Sequence, residues 1–236
     1  NYAQNEKKEL QAKHVLSSIK IDGKLNELSW ENADAASGFI QYEPNNGKKA
    51  DFETKVKVVF DEKAIYIGAE MLGQNIRNVR TDLSVRDDNE PKADIFTFAV
   101  NPYDDKINYW EFWVTSANVQ GDNFNWNFDW DAVWESETSI TDSGWVAEIR
   151  IPFSALRIPK DKEQIWAVNF WRNCKETMEW SSWNFMDKNI PGTSNKYGIL
   201  KGIEITDPPV RLSFTPYLAG MIERNRLGDY YYSYSG

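Results

Sequence analysis

Short segments in which apolar and polar residues alternate recur along most of the chain, and this alternation constrains the fold more than any other feature. In "TKVKVVFDEKAIYIGAEM", Val56 and Val58 alternate with lysines, a turn follows, and Ile65 and Ile67 alternate on the way back. An alternation of period two is typical of a β-strand with one buried face. Turn-forming residues separate such segments about every 8–12 residues, which predicts an all-β chain folded as an antiparallel β-sandwich.

The same pattern predicts further strands in the second half of the chain. "DIFTFAVNP" pairs with "NYWEFWVTSAN", and "DAVWESETSI" pairs with "WVAEIRIPF" across the turn "TDSG". "IWAVNFWRNC", "ETMEWSSWNF" and "GILKGIEI" supply the last strands. Trp166 and Trp171 fall on opposite faces of one strand, and each sheet of a sandwich has one dry face. We therefore expect some of the aromatic side chains to be partly exposed.

The stretch "NFNWNFDWDAVW" is the most aromatic part of the chain. If it is extended, its aromatic side chains point one way and its Asn and Asp side chains point the other. We predict that most of these aromatic residues pack against protein and that the Asn and Asp face is wet. The five residues are Phe124, Trp126, Phe128, Trp130 and Trp134.

Charge and composition exclude several classes of protein. The chain has 36 acidic and 27 basic residues, a net charge of −9 and no basic tract, so it lacks the cations that nucleic-acid binding requires. The single cysteine, Cys174, cannot form an internal disulfide. No apolar run approaches the roughly 20 residues of a membrane helix.

Catalysis is not predicted. The chain has one histidine, His14, so an activated nucleophile or a zinc cluster has too few partners. Glu135 and Glu137, or Glu176 and Glu179, would be the carboxylate pairs of a glycosidase, but such pairs arise by chance in an acidic chain. We predict a non-enzymatic domain that requires no cofactor.

Two acidic turns leave one metal site open as an alternative. "RDDNEPKAD" contains Asp87 and Asp88, and "NPYDDKIN" contains Asp104 and Asp105. Carboxylate and amide oxygens are the ligands that Ca²⁺ prefers, so one structural calcium is one interpretation. Ordinary turn chemistry is the other, because Asp tolerates unusual backbone angles.

The ends of the chain differ from its middle. Residues 1–15 are polar and aperiodic and are predicted to be a flexible leader before a sandwich over 16–207. After Pro208 and Pro209, the residues of "RLSFTPYLAGMIERNRLGDYYYSYSG" alternate over a length that suits a transmembrane β-strand. We predict that 208–236 begins a truncated outer-membrane β-barrel, since two strands cannot close a barrel. The alternative is a closing hairpin of the sandwich.

Several motifs resemble family 9 carbohydrate-binding modules. "IDGKLNELSWENA" resembles the opening signature, and "RDDNEPKADIFTFAVNPYDD", "DWDAVWESET", "WVAEIRIPFSAL" and "WAVNFWRN" continue the pattern in order over roughly residues 16–206. The chain also resembles the modules at the front of large Bacteroidota outer-membrane proteins, in which a β-barrel follows the sandwich. This resemblance implies an outer-membrane location, on either side of the membrane.

The resemblance also implies candidate binding residues. Modules of this family that bind sugar hold it between two Trp side chains, assisted by acidic, amide and Arg groups. The loop "SVRDDNEPKA", where one of these Trp residues is expected, contains none here, and the expected acidic and Arg positions fall near Thr97 and Trp113. The remaining candidates for a glycan site are Trp180, Trp183, Asn169 and Arg172.

Two functions follow from these expectations. The first is a non-catalytic glycan-recognition domain of an outer-membrane protein, linked to carbohydrate catabolism. The second is a structural domain that binds no sugar and docks on or gates an outer-membrane barrel or an export complex, with another outer-membrane or secreted protein as its partner.

Overall fold

The computed structural model describes residues 7–16, 19–205, 219–224 and 230–235, and shows an all-β protein. Within these residues the one α-helix, α1 (Leu28–Glu31), is a single turn, and short 3₁₀ turns occur at Ile76–Asn78, Phe153–Ala155 and Ser194–Lys196. The described strands are, in chain order, β1 (Glu9–Gln11), β2 (Lys13–His14), β3 (Ala35–Ala36), β4 (Ile40–Glu43), β5 (Thr54–Phe60), β6 (Ala64–Leu72), β7 (Ile95–Asn101), β8 (Trp110–Thr115), β9 (Gln120–Phe124), β10 (Glu135–Thr141), β11 (Gly144–Pro152), β12 (Glu163–Cys174), β13 (Glu179–Ser182), β14 (Gly198–Glu204), β15 (Ala219–Arg224) and β16 (Tyr230–Ser235).

Two sheets form the sandwich. The larger sheet has the order β1-β14-β12-β7-β8-β9, with β13 attached to β12 and β4 attached to β13. The smaller sheet has the order β10-β11-β6-β5-β2, with β3 on β5. The three predicted hairpins are confirmed, because β5 pairs with β6, β7 with β8 and β10 with β11, each antiparallel. β12 also pairs antiparallel with β13.

The sheets are mixed rather than purely antiparallel, which corrects the sequence-based fold class in one respect. β1 runs parallel to β14 and β2 runs parallel to β5. Both strands lie in the segment predicted to be a flexible leader. Leu10 and Ala12 are buried there between polar neighbours, and so short an alternation is too weak to identify a strand from sequence.

The core lies between the two sheets and follows the alternation of the strands. In β12, Trp166, Val168 and Phe170 point into the core, whereas Trp171 on the opposite face is half-buried. This confirms that Trp166 and Trp171 lie on opposite faces. The alternating inner residues of facing strands thus account for the large apolar cluster of the sandwich.

A buried carboxylate holds the opening segment against the smaller sheet. Glu148 of β11 accepts hydrogen bonds from the backbone N–H groups of Asp22 (2.9 Å) and Gly23 (3.0 Å), and from Nε1 of Trp30 (3.2 Å). Gly23 has a φ of 75° and lies so close to the backbone of Thr138 that a side chain would be crowded. The motif "DGKLNELSW" is therefore a turn and a tryptophan that dock on one acidic residue.

The C-terminal region is described in part. β15 and β16 pair antiparallel, with Ala219 opposite Ser235 and Arg224 opposite Tyr230. The remaining residues of the predicted barrel start, 208–218, 225–229 and 236, lie outside the described residues. Among the residues that are described, no helix is long and apolar enough to cross a membrane.

Candidate functional site

A concave groove lies on the outer face of the larger sheet, the face turned away from the core. Its floor is formed by neighbouring strands in the order β4, β13, β12, β7, β8 and β9. Loops before β7, after β9 and before β14 raise its walls, and the open cavity between them measures about 280 Å³. The side chains that line the groove include Tyr42, Thr97, Glu111, Trp113, Asn123, Trp126, Phe128, Trp171, Trp180 and Lys196.

Strand register places two aromatic clusters on either side of Thr97. Thr97 lies opposite Trp171 on β12 and opposite Trp113 on β8. The Trp171 ring packs edge-on against Tyr42, at a centroid distance of 5.6 Å, and against Trp180, at 6.4 Å. This cluster provides one aromatic wall of the groove.

The second cluster lies at the β9 side. Trp113 packs edge-on against Phe128 at 6.1 Å, and Phe128 packs edge-on against Trp126 at 6.2 Å. The Trp113 ring lies directly over Gly121, where a Cβ atom would be 2.1 Å from the indole. Glycine at 121 therefore lets the indole of Trp113 lie flat on the sheet.

Trp126 is held outward by a tight turn. β9 ends at Phe124, and Phe124 and Asn127 exchange backbone hydrogen bonds of 3.2 and 2.9 Å. Asn125 and Trp126 between them have φ values of 51° and 64°, the combination of a type I′ hairpin turn, in which Asn-Gly is the usual pair. Trp126 thus occupies the position that favours glycine, and its side chain is 64% exposed.

This turn corrects the interpretation of "NFNWNFDWDAVW" as one extended strand. The alternation of aromatic and polar residues there crosses a turn and a loop rather than a single pleated face. The burial prediction is nevertheless confirmed for most of the five aromatics. Trp134 is in the core, Phe124 and Trp130 pack against it, and Phe128 is half-buried, whereas Trp126 is exposed.

A carboxyl group and an amide form the polar part of the floor on this side. Glu111 of β8 lies opposite Asn123 of β9, and Oε2 of Glu111 accepts a hydrogen bond of 2.9 Å from Nδ2 of Asn123. Burial raises the pKa of the Glu111 carboxyl, and the hydrogen bond from Asn123 opposes that rise. Burial and the charge of Glu111 also raise the pKa of the neighbouring Tyr109 to about 12.

Two further residues that carry polar atoms line the groove. The Nε1 of Trp171 is buried and has no hydrogen-bond partner among the described residues. The Lys196 ammonium donates to the carbonyl oxygens of Asp187 (3.1 Å) and Ile190 (2.8 Å), and burial lowers its pKa. The site therefore combines flat apolar faces with a few fixed polar groups, as small-molecule sites do.

The four glycan-site residues proposed from sequence differ in whether their side chains are accessible from the groove. Trp180 is 42% exposed and lines the groove. Trp183 is 2% exposed and packs in the core against Phe170, so it offers no free ring face. Asn169 is fully buried because the segment after β13 covers it, and its amide exchanges hydrogen bonds with the backbone of Asn184.

Arg172 lies at the edge of the groove with its guanidinium inside the protein. Its Nη1 donates to the carbonyl oxygens of Glu53 (3.0 Å) and Leu72 (3.3 Å), and Nη2 donates to Oε1 of Gln74 (3.1 Å). These bonds link the end of β12 to the smaller sheet. The geometry thus gives Arg172 a structural role beside the groove.

The acidic turns use their carboxylates for protein contacts. Oδ1 of Asp105 accepts hydrogen bonds from the backbone N–H groups of Ile107 (2.9 Å) and Asn108 (2.8 Å), and Asp88 accepts one from Glu90 (3.0 Å). Asp87 and Asp104 have φ values of 62° and 45°. These features are those of ordinary Asp-containing turns.

A guanidinium lies where three carboxylates meet. Arg86 forms ion pairs with Asp122, Asp131 (2.9 Å) and Asp87 (3.4 Å). Asp122 is buried, and burial raises its pKa to about 6, which the nearby charge of Arg86 opposes. The guanidinium of Arg86 therefore supplies the positive charge that neutralises these carboxylates. Within the described ranges, no group of three or more His, Cys, Asp or Glu residues is arranged to hold a metal.

We expect calcium to have little effect on stability. A site for Ca²⁺ at 100 times its Kd would add about 2.7 kcal/mol to the free energy of unfolding, because the ion binds only the folded state. Differential scanning calorimetry in EDTA and in excess CaCl₂ is expected to give the same Tm. A rise of several degrees in CaCl₂ that is lost in an Asp87→Ala variant would instead establish the calcium site.

The groove contains residues that sequence reasoning missed. Trp126, Trp113, Trp171, Glu111 and Asn123 were not selected, because a strand pattern identifies faces but not which face lies under loops. One signal was present in the sequence. Asn125 precedes Trp126 in the middle of an otherwise regular alternation, and Asn is the residue other than glycine that most readily adopts positive φ.

The groove does not hold the pair of carboxylates that glycoside hydrolysis requires. Among the described lining residues, Glu111 is the single acidic side chain. A hydrolase needs a second carboxyl group about 5–9.5 Å away to act as nucleophile or base. Glu135, Glu137 and Glu176 do not line the groove, and Glu179 is buried and accepts hydrogen bonds from Gln41 and Asp51.

Comparisons with known proteins agree with this architecture. The family described as "Carbohydrate family 9 binding domain-like" matches residues 21–198. A family 9 carbohydrate-binding module from Caldicellulosiruptor kristjanssonii in complex with cellotriose superposes with a TM-score of 0.58 at 17% identity, covering 89% of this chain and 100% of that one. The glucose complex of a family 9 module from that organism gives 0.59 at 16% identity, covering 87% and 100%.

A candidate carbohydrate-binding protein from Bacteroides uniformis gives a TM-score of 0.62 at 15% identity, covering 83% of this chain and 99% of that one. At these identities the solved structures show the fold. Among curated proteins, none matches this sequence significantly.

Proposed function

The chain belongs to the carbohydrate family 9 binding domain-like family, and on that premise we propose that its groove binds a neutral glycan without catalysis. Modules of this family bind carbohydrate and are not enzymes. Two solved relatives of the same fold hold cellotriose and glucose. A cavity of about 280 Å³ is at the small end of ligand pockets and suits one or two sugar rings.

The observation that carries this proposal is the strained and exposed Trp126. A bulky residue at positive φ costs of order 1–3 kcal/mol, and such strain persists mainly where a site requires it. Here the strained turn exposes an indole at one wall of a groove whose opposite wall holds Trp180 and Trp171. Flat apolar faces on both sides of a cleft suit the C–H face of a sugar ring.

The polar groups of the groove favour a neutral ligand. The Glu111 carboxyl and the Thr97 hydroxyl line the groove and can accept hydrogen bonds, and the Thr97 hydroxyl can also donate one. Sugar hydroxyl groups both donate and accept, so they match this set. Among the described lining residues, Lys196 and Arg172 are the cations, and both already donate to protein oxygens, so the groove offers an acidic sugar no free positive charge.

Isothermal titration calorimetry with cellotriose and glucose tests the proposal. Saturable binding to the wild-type chain is expected, and Trp180→Ala is expected to weaken it roughly 30-fold, equivalent to about 2 kcal/mol for an aromatic anchor. Tyr103→Ala is the matched control, because Tyr103 is an exposed aromatic residue outside the groove. No binding by a folded wild-type chain across a wider glycan panel would favour the alternative, a partner-binding domain.

We also propose that the domain acts at the outer membrane and serves carbohydrate capture for catabolism. The resemblance to Bacteroidota outer-membrane proteins supports this context, as does the alternating sequence after Pro209. The antiparallel pairing of β15 and β16 is compatible with a strand-based continuation. Fractionation of cells that express the full-length protein, with immunoblotting of the outer-membrane fraction, checks the location.

A further inference from the structure

We propose that Glu111 and Asn123 act as a pair that positions Trp126 at the groove wall, with the Asn123 amide as the link between floor and wall. The ligand measurement below rests on the proposed function, whereas the position of Trp126 can be measured without any sugar. Asn123 is thus a positioning residue for recognition rather than a residue of the aromatic wall itself.

Two hydrogen bonds form the link. Nδ2 of Asn123 donates to Oε2 of Glu111 at 2.9 Å, and Oδ1 of Asn123 accepts from the backbone N–H of Trp126 at 3.1 Å. Asn123 is buried, so its amide has few other orientations that satisfy both groups. The backbone N–H of Trp126 can only donate, which fixes the amide with its Oδ1 toward Trp126 and its Nδ2 toward Glu111.

The Trp126 turn needs such support because its backbone is strained. Asn125 is held separately, with its Oδ1 accepting from the backbone N–H of Tyr109 at 2.9 Å and its Nδ2 donating to Asn108 at 2.9 Å. Asn123 is therefore the side chain that holds the second turn residue, Trp126. Without that bond, a bulky residue is expected to leave the left-handed region for a more favourable φ.

The charged and titratable groups around Glu111 are few. Tyr109, just before β8, and Tyr197, just before β14, are neutral near pH 7, since the ordinary tyrosine pKa is about 10 and burial raises the pKa of both. Lys196 and Arg172 are the cationic groups that line the groove, and both are held by protein carbonyl oxygens. The carboxyl of Glu111 is thus the ionisable group that contacts the Asn123 amide.

The proposal is tested by variants that change which of Glu111 and Asn123 donates and which accepts the hydrogen bond between them. Asn123→Asp places two carboxyl groups at hydrogen-bonding distance, so at pH 7.5 the variant is expected to release Trp126 and weaken cellotriose binding roughly tenfold. At pH 5 the two carboxyl groups can share a proton, and binding is expected to recover. The double variant Glu111→Gln, Asn123→Asp restores a donor and an acceptor in reversed order, so Trp126 is expected to return to its wild-type position at both pH values.

The position of Trp126 is measured by iodide quenching of tryptophan fluorescence without sugar. The difference between each variant and the same variant carrying Trp126→Phe isolates the signal of this one indole. We expect Asn123→Asp to change the quenching constant at pH 7.5 and the double variant to restore it. Circular dichroism melting shows whether each variant is folded. Recovery in the double variant shows that the changes in Asn123→Asp do not come from misfolding.

Each outcome decides between the alternatives. Unchanged quenching in Asn123→Asp overturns the positioning role, and loss of binding with unchanged quenching shows that Asn123 contacts the sugar directly instead. No recovery of quenching in the double variant also overturns it. If quenching responds as expected but the wild-type chain does not bind cellotriose, the positioning pair stands and the proposed ligand is wrong.

Discussion

Trp126→Gly is expected to lose cellotriose binding while its thermal stability stays the same or rises. Glycine adopts positive φ at no steric cost, so it relieves the strain of the turn. The substitution also removes the indole that forms one groove wall and its edge contact with Phe128. Relief of strain and loss of an exposed contact have opposite effects on the free energy of unfolding, each of about 1 kcal/mol.

Trp126→Ala separates these two effects. Both variants lack the indole, but alanine keeps the cost of positive φ, so the glycine variant is expected to be about 1 kcal/mol more stable than the alanine variant. For a chain of this size, that difference corresponds to roughly 2–4 °C in Tm. Calorimetric titration with cellotriose and melting curves measure both properties. A glycine variant that melts well below wild type would show that Trp126 supports the fold instead of the site.

The largest effect on stability is expected at Glu148. Glu148→Ala leaves two backbone N–H groups and the Trp30 indole N–H without their buried acceptor, so we expect a loss of roughly 3–5 kcal/mol. Glu137→Ala is the control, because Glu137 lies opposite Glu148 in the register of β10 and β11 but is exposed. Urea unfolding followed by tryptophan fluorescence measures the difference. Equal stabilities for the two variants would contradict the role given to Glu148.

The same residue gives stability a dependence on pH. Burial raises the pKa of Glu148 to about 7, whereas an unfolded chain has its glutamates near the ordinary value of 4.5. A raised folded-state pKa means that stability is fully present below about pH 4.5 and falls as the pH rises through 7. A folded-state pKa of about 7 in place of 4.5, with the effect of the three donors already included, corresponds to a fall of at most about 3 kcal/mol. Glu148→Gln is expected to flatten this part of the profile, and an unchanged slope would assign the dependence to another group.

The strands of the sandwich were predictable because burial on one face forces alternation. The inner face of a strand can be identified from the strand's own sequence, as it is by Val56 and Val58 in β5 and by Phe96 and Phe98 in β7. β1 and β2 were not predicted as strands because they are only two or three residues long. The partner of β1 lies almost 200 residues away in the sequence, and the partner of β2 almost 50. Pairing at that distance has no local signal in the sequence.

The site was harder to predict because loops decide which outer residues are exposed. Trp180 and Trp183 look equivalent in "EWSSWNF", yet one lines the groove and the other fills the core. Asn169 lies on the groove face of β12 and is covered by the segment around Asn184. Trp126 sits at a turn that resembles a strand because polar and aromatic residues continue to alternate through it.

The parallel contact between β1 and β14 has a consequence for how the sandwich carries force. These strands join the two ends of the sandwich, with Glu9–Gln11 alongside Ile199, Leu200 and Lys201. A pull that separates the segment before β1 from the segment after β14 would slide two parallel strands past each other. Their hydrogen bonds then share the tension at once instead of opening one after another. The pair of β1 and β14 can therefore bear load in shear between the segments that flank the sandwich.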